Sequence, residues 1–193
     1  IVKWSATFIQ KSMSLSDASK SLKSDREMVR QFLIEKGIKD NEILFSAINI
    51  SKDFSYQTDA NGNSYGIFTG YNLSQNVKIE SSELDKVDNA SREISDLISK
   101  GIELTSNEPS YYYSKLEDLK LSLIGEASLN AKARAANIAK EAGISLGALQ
   151  KADLGVFQIT GQNDNEEYSY GGVFNTTSRF KTANITIKAV YGL

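Results

Sequence analysis

Hydrophobic and polar residues alternate along several stretches of the chain, and a period of two predicts β-strands. Near the start, Val2, Trp4, Ala6 and Phe8 are separated by Lys, Ser and Thr. An Asn-Gly pair predicts a hairpin turn over residues 58–63. The predicted strands span residues 2–8, 43–56, 65–79, 102–106, 148–160 and 180–191. The longest alternation predicts one shared face for Tyr65, Ile67, Thr69, Tyr71, Leu73, Gln75, Val77 and Ile79.

Apolar residues spaced three or four apart predict three helices, over residues 17–36, 84–98 and 115–142. Each helix ends in glycine and isoleucine, at Gly37-Ile38, Gly101-Ile102 and Gly143-Ile144. Glycine just past a helix takes the left-handed conformation at little cost, and the isoleucine can pack back on the last turn. Because each pair leads towards a strand, the chain contains βαβ-like units. The predicted fold class is α+β, with helices packed on one face of mostly antiparallel sheets.

The third helix has a ridge of residues that are each four positions apart. The ridge consists of Leu119, Leu123, Ala127, Ala131, Ala135 and Ala139. Small side chains let another element approach closely, so we expect this face to lie across a sheet. The basic residues of the helix are balanced by acidic ones, which makes it a poor phosphate binder.

Composition and charge exclude several classes of function. The 22 Lys and Arg against 24 Asp and Glu give a net charge of −2, so we expect no nucleic-acid partner. No apolar run approaches the roughly 20 residues of a membrane-spanning helix. The chain has no Cys and no His, which removes thiol chemistry and the usual general base and transition-metal ligand. It starts within a predicted strand, and we expect an upstream segment to have been removed by export or by trimming.

Three short motifs resemble catalytic or metal sites. Gly143-Ile144-Ser145-Leu146-Gly147 fits G-x-S-x-G, but a nucleophile elbow needs a preceding strand, a following helix and a His base. Ser178 and Lys181 fit S-x-x-K within a polar loop, a weak match. Asp59, Asn61 and Asn63 imitate the start of a calcium loop that lacks the later glycine and glutamate. We therefore predict no catalytic residues, no metal site, no cofactor and no enzymatic activity.

Exposed aromatic residues are the remaining candidates for function. Tyr111, Tyr112 and Tyr113 follow Pro109, and Tyr168, Tyr170 and Phe174 lie in the late polar loop. An aromatic cluster can anchor a protein partner or stack on a sugar. The alternative for the Tyr111–Tyr113 run is a strand whose alternate tyrosines enter the core. Both interpretations stay open at this point.

Several segments occur in an order that is typical of one protein family. They are ASLNAKARA at 127–135, Ile138-Ala139, AGISLG at 142–147, Gly70-Tyr71 opening a strand that ends in Val77 and Ile79, LDKV at 84–87, Gly101-Ile102, and ANITI at 183–187. Together they resemble the SIMPL-domain family of bacterial envelope proteins, often described as periplasmic immunogenic or oxidative-stress defence proteins. The match extends along nearly the whole chain.

This resemblance implies two intertwined two-layer α/β sandwiches in one SIMPL-like domain over residues 1–193. We expect approximate sub-units of 70–115 and a discontinuous 1–69 plus 116–193. The resemblance also implies export to the periplasm or cell surface. Some relatives assemble into large rings, so a homo-oligomer or an envelope protein partner is expected. No catalytic residues are established for the family, and none is carried over.

Two functional hypotheses follow. The first is a non-enzymatic cell-envelope protein that acts by self-assembly or partner binding, linked to envelope or oxidative stress defence. The second is a small-ligand or glycan-binding module that uses the exposed aromatic residues, which requires a concave pocket lined by them.

Overall fold

The computed structural model describes residues 1–163, 169 and 171–192, and its fold is of the predicted α+β class. The chain divides into two compact units, Ile1–Tyr112 and Tyr113–Leu193. In the first unit, the first strand pairs with residues 71–81 along its whole length.

The first unit is a six-stranded antiparallel sheet with its helices on one face. Its strands are β1 (Val2–Ser12), β2 (Ile43–Phe45), β3 (Asn49–Thr58), β4 (Ser64–Ser81), β5 (Glu103–Ser106) and β6 (Ser110–Tyr111). Its helices are α1 (Leu15–Glu35), α2 (Leu84–Glu93) and α3 (Asp96–Ser99), with a 3-10 turn at Asp40–Glu42. The strand order is β2-β4-β1-β5; β3 also pairs with β4, and β6 with β1.

The alternation that predicted the strands also forms the core of the first unit. Val2, Trp4, Ala6 and Phe8 of β1 are buried beside Leu73, Val77 and Ile79 of β4. Helix α1 covers this face with Ala18, Leu22, Val29 and Leu33, and α2 and α3 add Val87, Ala90 and Leu97. The apolar faces that the strand and helix patterns predict therefore pack together in one hydrophobic core.

The second unit contains α4 (Leu116–Glu141) and four short strands. They are β7 (Leu149–Leu154), β8 (Gln158–Gly161), β9 (Lys181–Asn184) and β10 (Ile187–Tyr191). Antiparallel pairs form between β7 and β10 and between β8 and β9, and α4 packs against β10. The predicted continuous strands are wrong at three places, because residues 46–48, 155–157 and 185–186 interrupt them.

All three glycine–isoleucine helix ends are confirmed as Schellman motifs. Gly37, Gly101 and Gly143 have φ of +84°, +89° and +74°. In each case the isoleucine N–H donates to the carbonyl five residues earlier, at Leu33, Leu97 and Ala139. Ile38 and Ile102 are buried in the first unit, whereas Ile144 of the second unit is exposed.

Candidate functional site

The serine and lysine motifs form no catalytic arrangement in the structure. Ser145 is exposed in the loop between α4 and β7, so a helix precedes it and a strand follows it. Lys181 Nζ donates to the backbone carbonyl of Ser178 at 2.7 Å and to that of Asn175 at 2.5 Å. Its contact with Ser178 is therefore to the main chain. Both motifs are explained by local backbone structure.

The calcium-like segment is the tip of the β3–β4 hairpin, as the Asn-Gly pair predicted. Asp59 Oδ1 accepts the backbone N–H groups of Asn61 at 2.9 Å and of Asn63 at 2.8 Å. These bonds, that from Asn63 first, lower the pKa of Asp59 below its usual value. The carboxylate is thus used to close a turn, and it carries a negative charge at neutral pH.

Tyr111 belongs to the core side of the first unit. It pairs with buried Val2 across β6 and β1, and its hydroxyl donates to Asp88 Oδ1 of α2 at 2.7 Å. The ring is half-buried against the hydrophobic core. Its place is the one expected from a strand whose alternate tyrosines enter the core, and it is not exposed for ligand stacking.

Tyr112 is 43% exposed and borders a cleft of about 410 Å³ in the first unit, lined by both polar and apolar side chains. Lys3 Nζ lies 5.3 Å from the centroid of the Tyr112 ring and 3.0 Å from Glu80 Oε2. The cleft is also lined by Lys78, Asn107 and Glu108. Its volume is within the range of small-ligand sites, and it combines one aromatic ring with groups that donate and accept hydrogen bonds.

Tyr113 and Phe174 lie in the second unit. Tyr113 is exposed and borders a mainly apolar cavity of about 310 Å³, together with Leu119, Leu123 and Ile159. Phe174 is exposed, and its ring centroid is 6.3 Å from that of Phe157. Tyr168 and Tyr170 lie outside the described residues. Tyr111, Tyr112 and Tyr113 therefore lie in three different environments.

The hairpin formed by β3 and β4 carries exposed aromatic side chains that no sequence motif indicated. The last β1–β4 pair is Ser12 with Tyr71, whereas β3 and β4 continue to pair as far as Thr58 and Ser64. We call residues 53–70 the arm. Its side chains include Tyr56 at 76% exposure, Tyr65 at 49%, Phe54 at 46% and Ile67 at 40%. A cluster of this kind usually marks a binding surface.

A β-bulge at the base of the arm determines which residues lie on its aromatic face and which lie on the opposite face. Asp53 pairs with Gly70 but Phe54 pairs with Phe68, so Thr69 is an extra residue in β4. The bulge changes the phase of the strand, and the predicted single face from Tyr65 to Ile79 is wrong at this point. Partner residues share a face, which places Tyr65 and Ile67 opposite the aromatic face.

The aromatic face continues the core side of the sheet. The ring centroids of Phe54 and Phe68 are 5.8 Å apart, and those of Phe68 and Tyr71 are 5.2 Å apart. A Cβ placed on Gly66 would lie 3.4 Å from Tyr56 Cε1, so the Tyr56 ring lies across the bare backbone of that glycine. The arm thus presents a row of aromatic rings where the helices no longer cover the sheet.

The predicted alanine ridge of α4 is confirmed as the more buried side of that helix. Leu119, Leu123, Ala127, Ala131 and Ala135 are partly buried, and Ala139 is buried. The ridge borders a groove of about 680 Å³ whose other wall is residues 183–189. We call this cavity the α4 groove. Four positions of the ridge are alanine, so the helix wall of this groove has small side chains.

The chain is an α+β protein with an exposed aromatic arm in its first unit and an open groove beside α4 in its second. None of the helices among the described residues combines the length and hydrophobicity needed to cross a bilayer. The chain belongs to the SIMPL family, described as a protein of unknown function (DUF541), whose model matches residues 1–189. A comparison with curated proteins found no match.

Proposed function

We propose that this SIMPL-family chain is a non-enzymatic protein of the bacterial cell envelope that acts by self-assembly or partner binding in envelope or oxidative stress defence. The observation that carries the proposal is the arm, whose aromatic side chains Phe54, Tyr56 and Tyr65 are exposed. The lack of His and Cys and the structural explanation of the serine motifs support a role in binding over one in catalysis.

The energetics of the arm favour a bound state. A two-stranded hairpin by itself is at best marginally stable in water. Burial of one large apolar or aromatic side chain stabilises a complex by about 1.5–3 kcal/mol before the costs of association. Phe54 and Tyr56 both remain exposed enough to contribute this burial to an interface. Aromatic residues are also the most frequent anchors of protein interfaces.

Self-assembly is tested by native mass spectrometry and by multi-angle light scattering over a range of protein concentrations. We expect a species heavier than the 21.2 kDa chain whose fraction rises with concentration. For partner binding, pull-downs from solubilised envelope would compare the wild type with Tyr56→Ser. A strict monomer at every concentration, together with identical captured proteins for both baits, would reject the proposal.

The envelope location has its own experiment. Cells that produce the protein from its natural gene would be fractionated into cytoplasm, periplasm and membranes, with a cytoplasmic enzyme as the leakage control. We expect the protein in the periplasmic or surface fraction. Recovery with the cytoplasmic marker would refute the location and leave the binding role to be judged separately.

The Tyr112 cleft supports a second candidate function, saccharide binding. A sugar can stack its C–H face on an exposed tyrosine while neighbouring side chains bond to its hydroxyls. The cleft offers Lys78, Asn107 and Glu108 for those bonds. Titration with neutral and amino sugars, followed by NMR, should shift the resonances of these residues in the wild type. The shifts should vanish in Tyr112→Ala and persist in Tyr113→Ala; equal loss in both variants would argue against the cleft.

A further inference from the structure

We infer that the arm of one copy binds in the α4 groove of a second copy, with the Phe54–Tyr56 face against the alanine ridge. The inference rests on the self-assembly branch of the proposed function and assigns its two surfaces. Each surface is exposed or open in the structure, and each is apolar at its centre. Their dimensions and charges are complementary.

The groove is long and open enough to receive the arm. Residues 54–58 extend about 17 Å at about 3.4 Å per residue. The groove wall from Leu123 to Ile138 is about 22 Å long at 1.5 Å per residue. The groove has a volume of about 680 Å³, and the ridge alanines line its helix wall. Large rings on one surface therefore meet small side chains on the other, which is how close packing is achieved between unlike surfaces.

The two surfaces also carry opposite charge. The arm contains Asp53 and Asp59 and no basic residue, so its net charge is −2. The charged residues that line the groove are Glu126, Arg134 and Lys188, which sum to +1. Within the part of the chain that the structure describes, neither of those two cations forms a salt bridge. Complementary charge guides association and fixes the direction of docking.

This contact is heterologous, since the two surfaces lie in different parts of the chain. Each copy that uses its arm still has a free groove, and each copy that fills its groove still has a free arm. Association therefore continues past the dimer until a ring closes or a filament forms. A dimer as the end state would contradict the inference.

Two variants separate the surfaces. The arm variant carries Phe54→Ser and Tyr56→Ser, and the groove variant carries Ala131→Trp, which fills the cavity beside the ridge. Each variant by itself should lose assembly, with the association constant lowered about 30-fold or more per removed anchor. When the two variants are mixed in equal amounts, the arm variant supplies an intact groove and the groove variant supplies an intact arm. Native mass spectrometry should then show a one-to-one heterodimer that grows no further.

Matched controls distinguish docking from unfolding. Tyr65→Ser with Ile67→Ser removes two large side chains from the opposite face of the arm, and Ala133→Trp adds the same ring on the exposed side of α4. Both controls should assemble within a few-fold of wild type. All variants would be compared by circular dichroism melting. If Ala131→Trp unfolds, Arg134→Glu replaces it, since it reverses charge in the groove without adding volume.

The outcomes are distinguishable. If wild type assembles but the mixed variants stay monomeric, or the arm variant assembles like wild type, the inference is wrong and self-assembly stands. If wild type is monomeric throughout, both fail. Binding to phosphatidylethanolamine–phosphatidylglycerol vesicles would be measured in parallel. Loss of vesicle binding by an arm variant that assembles normally would make the arm a membrane element and overturn the inference.

Discussion

Replacement of Gly70 by alanine should destabilise the first unit more than a glycine substitution that adds backbone strain alone. Gly70 is at the base of the arm, where it pairs with Asp53 just before the bulge at Thr69. Its φ is +136°, and an added Cβ would lie 2.9 Å from the carbonyl oxygen of Ser12 at the end of β1. The substitution therefore adds backbone strain and a steric overlap with main-chain atoms.

The two costs can be separated with a matched control. Gly101 has φ of +89° and no atom within 4 Å of an added Cβ, so Gly101→Ala carries the conformational cost alone. That cost is about 1–2 kcal/mol. Overlap with packed backbone typically costs about 1–3 kcal/mol more. We expect Gly70→Ala to lower the free energy of unfolding by about 2–5 kcal/mol.

The assay uses the single tryptophan. Trp4 is 3% exposed in the core of the first unit, so its fluorescence in urea reports the unfolding of that unit. With a urea m-value of about 1–3 kcal/mol/M, Gly70→Ala should shift the midpoint by roughly 1 M beyond the shift of Gly101→Ala. Equal midpoints for the two variants would refute the close approach of β1 to the arm base.

Two further substitutions test buried polar groups in the first unit. Tyr111→Phe removes the hydrogen bond to Asp88 and should cost about 1–3 kcal/mol in the same urea assay, whereas Tyr112→Phe should be neutral within 0.5 kcal/mol, about the scatter of surface changes. Burial raises the pKa of Asp25, which the hydrogen bond from Gln10 partly offsets, so this carboxyl stabilises the fold at low pH and less as pH rises through its pKa. Asp25→Asn should therefore melt above wild type at pH 7 and converge with it below about pH 4; a constant difference would argue against the titration.

The helix ends could be predicted from sequence because their determinants are local. A glycine with positive φ and the apolar residue after it specify a Schellman motif without help from distant residues. The interruptions of long strands depend on partners. At Gly155, for example, the N–H donates to Thr186 O at 2.7 Å, and an added Cβ would lie 3.0 Å from that oxygen. Alternation alone predicts a strand, but it does not predict where contact with a neighbouring segment interrupts that strand.

The positions of Tyr111 and Tyr112 also depend on a distant partner strand, so the sequence alone could not predict them. The direction of Tyr111 is set by its pairing with Val2, which lies 109 positions earlier and faces the core. A run of identical residues contains no information about that register, and a slip of one position would exchange Tyr111 and Tyr112 between core and solvent. Only the pairing shows that Tyr111 belongs to the core and Tyr112 to the cleft.

The arm consists of strands that the alternation predicts, but the alternation does not indicate that its aromatic side chains are exposed. Large side chains continue through residues 54–68 of the arm. The pairing of β1 with β4, however, ends at Tyr71, and the core that the helices cover lies in the rest of the sheet. Alternation of apolar and polar residues predicts that one face of a strand is buried, but it does not identify the surface that packs against that face. Beyond Tyr71, β4 pairs with β3, and Phe54 and Tyr56 on the aromatic face are exposed. Because exposed aromatic rows are costly in water, the proposed docking of the arm in the α4 groove of a second copy would account for this pattern.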